Sequence, residues 1–262
     1  MSHPPIPTEP VGWPSDATLD KLVGDWSIYQ RLKGHKTSTD DVLTAWLAVH
    51  TASSVPPDRY LDLGCGVGSV LLLTAHRLKP RFALGVEAQT QSFLLAQATL
   101  EQLPPGPVID VRRADFRELS APAPGEAFDL ITGSPPYFPL GTGVAPKDYQ
   151  RLACRFEVRG GAEAYVDTAA KMLSPKGRLI LVHQTAHADR VLGAAANASL
   201  YMHTRVDVRM RKDRAQPFLS VFEFQREDGD TTSISFAIRN TDGQISLDYK
   251  RAREELGLET RD

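Results

Sequence analysis

From residue 59 onward, short apolar runs alternate with longer amphipathic ones. RYLDL (59–63), FALGVE (82–87), PVIDVRR (107–113), FDLIT (128–132) and GRLILVHQ (177–184) are brief and rich in branched or aromatic residues, as strands are. Between them SVLLLTAHRL (69–78), TQSFLLAQATLEQL (90–103), AEAYVDTAAKML (162–173) and AHADRVLGAAANA (186–198) carry apolar residues at helical spacing. Strict alternation of strand and helix predicts a mostly parallel α/β sheet of Rossmann-like type with helices on both faces. PFLSVFEFQ (217–225) and TSISFAIR (232–239) predict two more strands, completing a seven-stranded sheet in antiparallel fashion. Upstream, Ser38-Thr39-Asp40-Asp41 precedes VLTAWLAV, the mark of a side-chain-capped helix. Residues 1–24 are proline-rich and lack periodicity, which predicts a disordered or loosely packed leader. Residues 25–262 then form one catalytic domain.

The composition is that of an ordinary globular protein, 42% hydrophobic and 24% charged. No apolar run approaches the roughly 20 residues of a membrane span, and the first residues lack a signal-peptide layout. A cytoplasmic protein without a membrane partner is expected, and no obligate protein partner is evident. Cys65 and Cys154 match no metal spacing, so free thiols and no metal are expected. The histidines and Trp13, Trp26 and Trp46 read as satisfied or packing residues. The net charge of −2 gives no global attraction to nucleic acid, so such binding needs a local basic patch. Two candidates exist: the run Arg205–Arg214, with five basic residues against two acids, and the set Arg151, Arg155 and Arg159.

Ligands of such sheets bind beyond the C-terminal strand ends, and the candidate residues fall there. The first strand runs into Asp62-Leu63-Gly64-Cys65-Gly66-Val67-Gly68. Glycines let the backbone turn sharply and approach a ligand closely. The spacing is G-x-G-x-G rather than the G-x-G-x-x-G that cradles a dinucleotide pyrophosphate. The leading carboxylate of Asp62 suits a cationic ligand better than a pyrophosphate, favouring S-adenosylmethionine over NAD. Glu87, with Ala88, ends the second strand where a carboxylate can accept from ribose hydroxyls. Asp115 and Phe116 follow the third strand, placed for the adenine ring.

After the fourth strand comes Gly133-Ser134-Pro135-Pro136-Tyr137-Phe138. It resembles the (Asn/Asp/Ser)-Pro-Pro-aromatic motif of amine and amide methyltransferases. An exocyclic amine is a poor nucleophile because its lone pair is delocalised into the ring. Accepting its N–H bonds at Ser134 Oγ and the Pro135 carbonyl would aim that lone pair at a methyl donor. Pro135 and Pro136 would hold these acceptors rigid, and Tyr137 would stack on a flipped base. Ser134 itself could also bear on the cofactor. Serine stands where asparagine or aspartate is commoner, which leaves the target amine open.

Together STDDVLTAW, GSPPYF, RLACRFEVRGG and the tail LSVFEFQ…FAIRNTDGQISLDYKRAREELGL resemble the bacterial adenine-N6-methyltransferases that modify valine tRNA. The resemblance spans about Gly34 to Leu258 and implies a class I methyltransferase fold. It also implies S-adenosylmethionine as cofactor, tRNA as partner, and Thr39 and Asp40 near the methionine end. Three rivals are weighed against it: a protein-glutamine methyltransferase acting on release factors, a DNA amine methyltransferase, and a non-catalytic cofactor-binding scaffold. The first usually carries a separate N-terminal helical domain, for which the roughly 55 residues before the first strand are too few. Against the second, nothing in this sequence looks like a target-recognition domain.

Overall fold

A computed structural model describes residues 7–142 and 144–259. The part of the expected leader at residues 1–6 lies outside the described residues. The chain first forms a hairpin of β1 (Ala17–Val23) and β2 (Trp26–Arg31). Then follow α1 (Thr39–Ala52), β3 (Arg59–Leu63), α2 (Ser69–Leu78), β4 (Phe82–Glu87), α3 (Thr90–Leu100), β5 (Val108–Arg113) and β6 (Phe128–Gly133). The second half adds α4 (Tyr149–Arg155), α5 (Ala162–Met172), β7 (Leu173–Gln184), α6 (Ala188–Asn197), β8 (Tyr201–Arg211), β9 (Leu219–Gln225), β10 (Thr232–Arg239) and α7 (Leu247–Leu256).

The main sheet has eight strands in the order β10-β8-β9-β7-β6-β3-β4-β5. Strands β3 to β7 pair in parallel, as expected. Adjacent residues of one strand serve opposite faces. Tyr60, Leu130 and Ile180 join the core under α1 and α2, while Leu61, Ile131, Leu179 and Leu181 join the core under α5 and α6. Burial on both sides explains why these strands read as continuous apolar runs.

Three expectations need correction. The antiparallel completion holds for β9 alone, because β10 runs parallel to β8 at the sheet edge. The sheet gains an eighth strand because the basic run at 205–214 is mostly β8. Its Val206 and Val208 are buried while Arg205, Asp207 and Arg209 alternate outward, so a period of two was hidden inside a charge-rich run. The boundary at residue 24 falls in the turn of the β1–β2 hairpin. Residues 17–23 are strand, although only Val23 of β1 is buried, and the apolar face comes from Trp26 and Ile28 of β2. Trp26 lies edge-on to His76 at 5.0 Å, and the Tyr29 amide donates to Thr99 Oγ1 at 2.9 Å, docking the hairpin on α2 and α3. Trp13, by contrast, is half exposed, edge-on to Tyr29.

Candidate active site

The strand order reverses at β3, which has β4 on one side and β6 on the other. Leu63 aligns with Val86 and with Gly133, so the loops after β3, β4 and β6 leave the sheet at one level. Beyond them lies a cavity of about 420 Å³. It brings together Asp40, Asp62, Gly64, Cys65, Gly66, Glu87, Ala88, Asp115, Phe116, Ser134, Pro135, Pro136 and Tyr137. Thr39 and Gly68 do not line it. Thr39 opens α1 behind Asp40, and Gly68 is the N-cap of α2.

The glycine loop is shaped by what surrounds it. Gly64 has φ of +62°, and a Cβ there would collide with the Tyr165 hydroxyl that floors the cavity. Gly66 has φ of +57°, and a Cβ there would meet nothing within 4 Å. That open space faces the cavity, as a cradle for a ligand requires. The Gly66 amide donates to Glu87 Oε2 at 2.8 Å, and the Gln89 amide donates to Glu87 Oε1 at 2.6 Å. Both Glu87 oxygens are thereby fixed, each keeping a lone pair for a hydroxyl donor.

Buried acids dominate the electrostatics. Asp62 is 2% exposed; Oδ1 accepts from Thr132 at 2.6 Å, while Oδ2 has no partner among the described residues. Burial, reinforced by Asp41, pushes its carboxyl up to about 8 despite the Thr132 bond. Burial also raises Glu87, against the hydrogen bonds from Gln89 and Gly66. Asp41, the return partner of Ser38 in the α1 capping box, is pushed up to about 6 by burial and by Asp40. Asp115 is the exception: Arg117 holds its carboxyl below the ordinary range through a two-pronged ion pair, which occupies both oxygens. Phe116 is buried with its ring 4.4 Å from that of Tyr165.

The Ser134-Pro135-Pro136-Tyr137 loop is anchored at both ends. β6 ends at Gly133, where a Cβ would press on the Tyr165 ring at 2.6 Å. Phe138 pairs by backbone with Arg155 at 3.0 Å and with Glu157 at 2.9 Å. Tyr137 Oη donates to Asp40 Oδ2 at 2.8 Å, and its ring meets His183 edge-on at 5.3 Å. Ser134 Oγ is buried and has no hydrogen-bond partner among the described residues. An unpartnered buried hydroxyl is costly, and here it points to a donor that arrives from outside.

Several cavity residues escaped the sequence reading. Gln89 and Tyr165 line the cavity from positions with no motif, and Cys154 and Arg159, read only as a free thiol and as part of a basic set, line it too. Glu9, in the expected leader, accepts from the Thr90 amide at 2.7 Å and from Arg159 at 2.7 Å. His183 is fully buried and its Nε2 has no partner among the described residues, so it is not the satisfied histidine expected. Its place at the end of β7, beside Tyr137 of the Ser134–Tyr137 loop, was the signal available. Among the described residues no group of three or more His, Cys, Asp or Glu could hold a metal ion. No helix among them is long and apolar enough to cross a membrane.

No family model matches the chain. It is similar to the tRNA1(Val) (adenine(37)-N6)-methyltransferase of Tolumonas auensis, 28% identical over 225 residues, which are 85% of this chain and 90% of the relative. Among solved structures, a predicted O-methyltransferase from Agrobacterium tumefaciens has a TM-score of 0.59 at 20% identity, covering 86% of this chain and 100% of that one. The 16S rRNA N2 G1207 methyltransferase of T. thermophilus, solved with AdoMet and guanosine, has a TM-score of 0.52 at 22% identity. That match covers 80% of this chain and 50% of the other. The fold and cavity define an S-adenosylmethionine-dependent methyltransferase of the Rossmann-like class I. Within that class, the chain resembles the tRNA1(Val) adenine-N6 enzymes over most of its length.

The residues fit the cofactor of that class. The open cradle at Gly66 and the unpartnered Asp62 Oδ2 call for a ligand that carries both bulk and positive charge.

Proposed function

We propose that this protein methylates the exocyclic N6 amine of an adenine in tRNA, acting in the cytoplasm. The observation that carries the reading is the buried, unpartnered Ser134 Oγ, presented beside the glycine-loop cavity. The name borne by the Tolumonas relative supports tRNA as the substrate.

In this reading Asp62, Gly64 and Gly66 hold the amino-acid portion of S-adenosylmethionine, and Glu87, with Ala88, holds the ribose. Phe116 bounds the adenine on one side, and Asp40 closes the cavity from α1. When bound, the cofactor supplies an electrophilic methyl group on a sulfonium. The chain's own residues orient the amine. Ser134 Oγ and the Pro135 carbonyl accept its two N–H bonds, leaving the nitrogen lone pair free of conjugation. Pro135 and Pro136 restrict the loop, and the Tyr137–Asp40 bond fixes its far side to α1. The Tyr137 ring, which lines the cavity, supplies the surface on which an extruded base stacks. Positioning of this kind needs no strong base.

The test is incubation of the protein and labelled cofactor with total tRNA or with purified release factor. Mass spectrometry of the tRNA nucleosides should show N6-methyladenosine. Label appearing only in the release factor, on glutamine, would replace this reading with the protein-methyltransferase one.

A further inference from the structure

We propose that the groove beside the catalytic cavity, lined by Lys33, Lys147, Arg151 and Arg155, carries the phosphate backbone of the substrate RNA. The inference rests on the tRNA reading above and adds where that RNA lies.

The groove is formed by the end of β2, the segment Val144–Asp148 and the face of α4. Arg155 lines both the groove and the catalytic cavity, so the two are continuous. The acids of the groove are already engaged. Arg31 pairs with Asp16 and with Asp148, both at 2.8 Å, and Asp148 also caps α4 by accepting from the Arg151 amide at 3.0 Å. Lys33, Lys147, Arg151 and Arg155 are exposed, and none forms an ion pair among the described residues. Arg31 answers only one of the two carboxylates, so five cations against two acids leave a net charge of +3 around one concave surface, which a polyanion relieves. Arg151 and Arg155 stand one helical turn apart on the same face of α4, so both can address one strand. The Arg155 guanidinium is held 5.7 Å above the Phe138 ring, at the lip of the catalytic loop. Val144, 93% exposed on the groove wall, adds the apolar contact that unpaired nucleotides use and a folded acidic surface does not need.

The other basic run is partly spent internally. Arg205 pairs with Asp207 at 2.9 Å, Arg211 pairs with Asp213 at 2.6 Å, and Arg209 donates to Ser235 at 2.6 Å. Of the two basic candidates in the sequence, the set containing Arg151 and Arg155 is the one that lines the groove beside the cavity.

The test measures binding of a fluorescent tRNA anticodon stem-loop by anisotropy from 50 to 300 mM KCl, using the full chain. Each phosphate contact contributes about 0.7 to 0.9 to the slope of log K against log salt. The triple variant K33A/K147A/R151A should lower the slope by about two and weaken binding at least about tenfold at 100 mM salt. Its affinity for S-adenosylmethionine, followed by calorimetry, should stay within about twofold of wild type, showing an intact fold. The comparison variant R209A/K212A/R214A should change the slope by less than about one. A groove variant that binds RNA like wild type, or a comparison variant that loses more, overturns the groove. Polyglutamate that displaces the RNA as well as unlabelled tRNA does also overturns it, because the surface would then suit an acidic protein equally. A wild-type protein with no salt-dependent affinity for tRNA overturns the substrate reading together with the groove.

Discussion

Asp62 shows how one side chain trades stability for a binding task. Its carboxyl, pushed up to about 8 by burial, holds its proton far more tightly in the fold than in the unfolded chain. The folded form therefore binds the extra proton between pH near 4 and near 8, and stability from this group falls as pH rises through that window. Replacing Asp62 with Asn removes the titration. Without cofactor, D62N should melt about 2 °C or more above wild type at pH 8.5, with the gain shrinking towards pH 5, as scanning calorimetry would show. The same variant should bind S-adenosylmethionine at least about tenfold more weakly, because the cationic ligand loses its buried counter-charge. A flat difference across pH would remove this account of Asp62. Tyr137 supports a second expectation. Y137F keeps the ring and loses only the bond to Asp40, worth about 1 kcal/mol, so kcat should fall about five- to tenfold with cofactor affinity unchanged. Y137A should cost more, by also removing the stacking surface.

At the scale of elements, most parallel strands and their following helices were legible because they bury a continuous apolar run; β5, which buries only Val111, was legible through its branched residues and its place in the alternation. α2 (69–78) and β4 (82–87) match their sequence bounds. The capped start of α1 was legible through Ser38 and Asp41, which make the reciprocal capping box. Two elements that bury little and lie outside that alternation were not legible. β1 buries one residue of seven, and α7 buries only Tyr249, Ala252 and Leu256 among ten. The site followed the same rule. Strand-end residues such as Asp62, Glu87 and Ser134 announced themselves by position. Tyr165 lies on α5, facing the cavity floor, where it reads as one more core aromatic. Because Asp40 and Asp41 face the cavity from the first turn of α1, the cap matters to function as well as to stability. S38A should cost about 1 kcal/mol, lowering the melting temperature about 2–4 °C, and should raise the KM for the cofactor severalfold. An unchanged KM would separate the cap from the site. S38T, which retains the hydroxyl, should restore both.

At the scale of the whole molecule, the two cores leave the C-terminal rim of the sheet as the place where polar groups can converge. Charge at this scale was only partly legible in sequence, because pairing between neighbours in a strand is invisible in a run of letters. Arg205–Arg214 is partly self-neutralised, whereas Arg151 and Arg155, already a candidate set in the sequence, share one groove with nearby Lys147 and with Lys33, which is distant in sequence. The leader is likewise more than an appendage. Glu9 satisfies the amide of Thr90 at the start of α3 and pairs with Arg159 on the cavity rim. E9A leaves that amide and Arg159 without their carboxylate. A drop of about 2–4 °C in melting temperature is expected, together with faster amide exchange at residues 90–92 by mass spectrometry. Exchange there equal to wild type would detach the leader from the domain.

That contact has a practical corollary for anyone handling the protein. A purification handle or fusion joined just upstream of Glu9 pulls on a side chain that reaches the donor-binding mouth, so tagged and untagged preparations should differ in apparent donor affinity. Fusions beyond α7, whose Glu255 meets Trp46 and His50 in the later turns of α1 while Tyr137 meets Asp40 in its first, are the better choice for quantitative work.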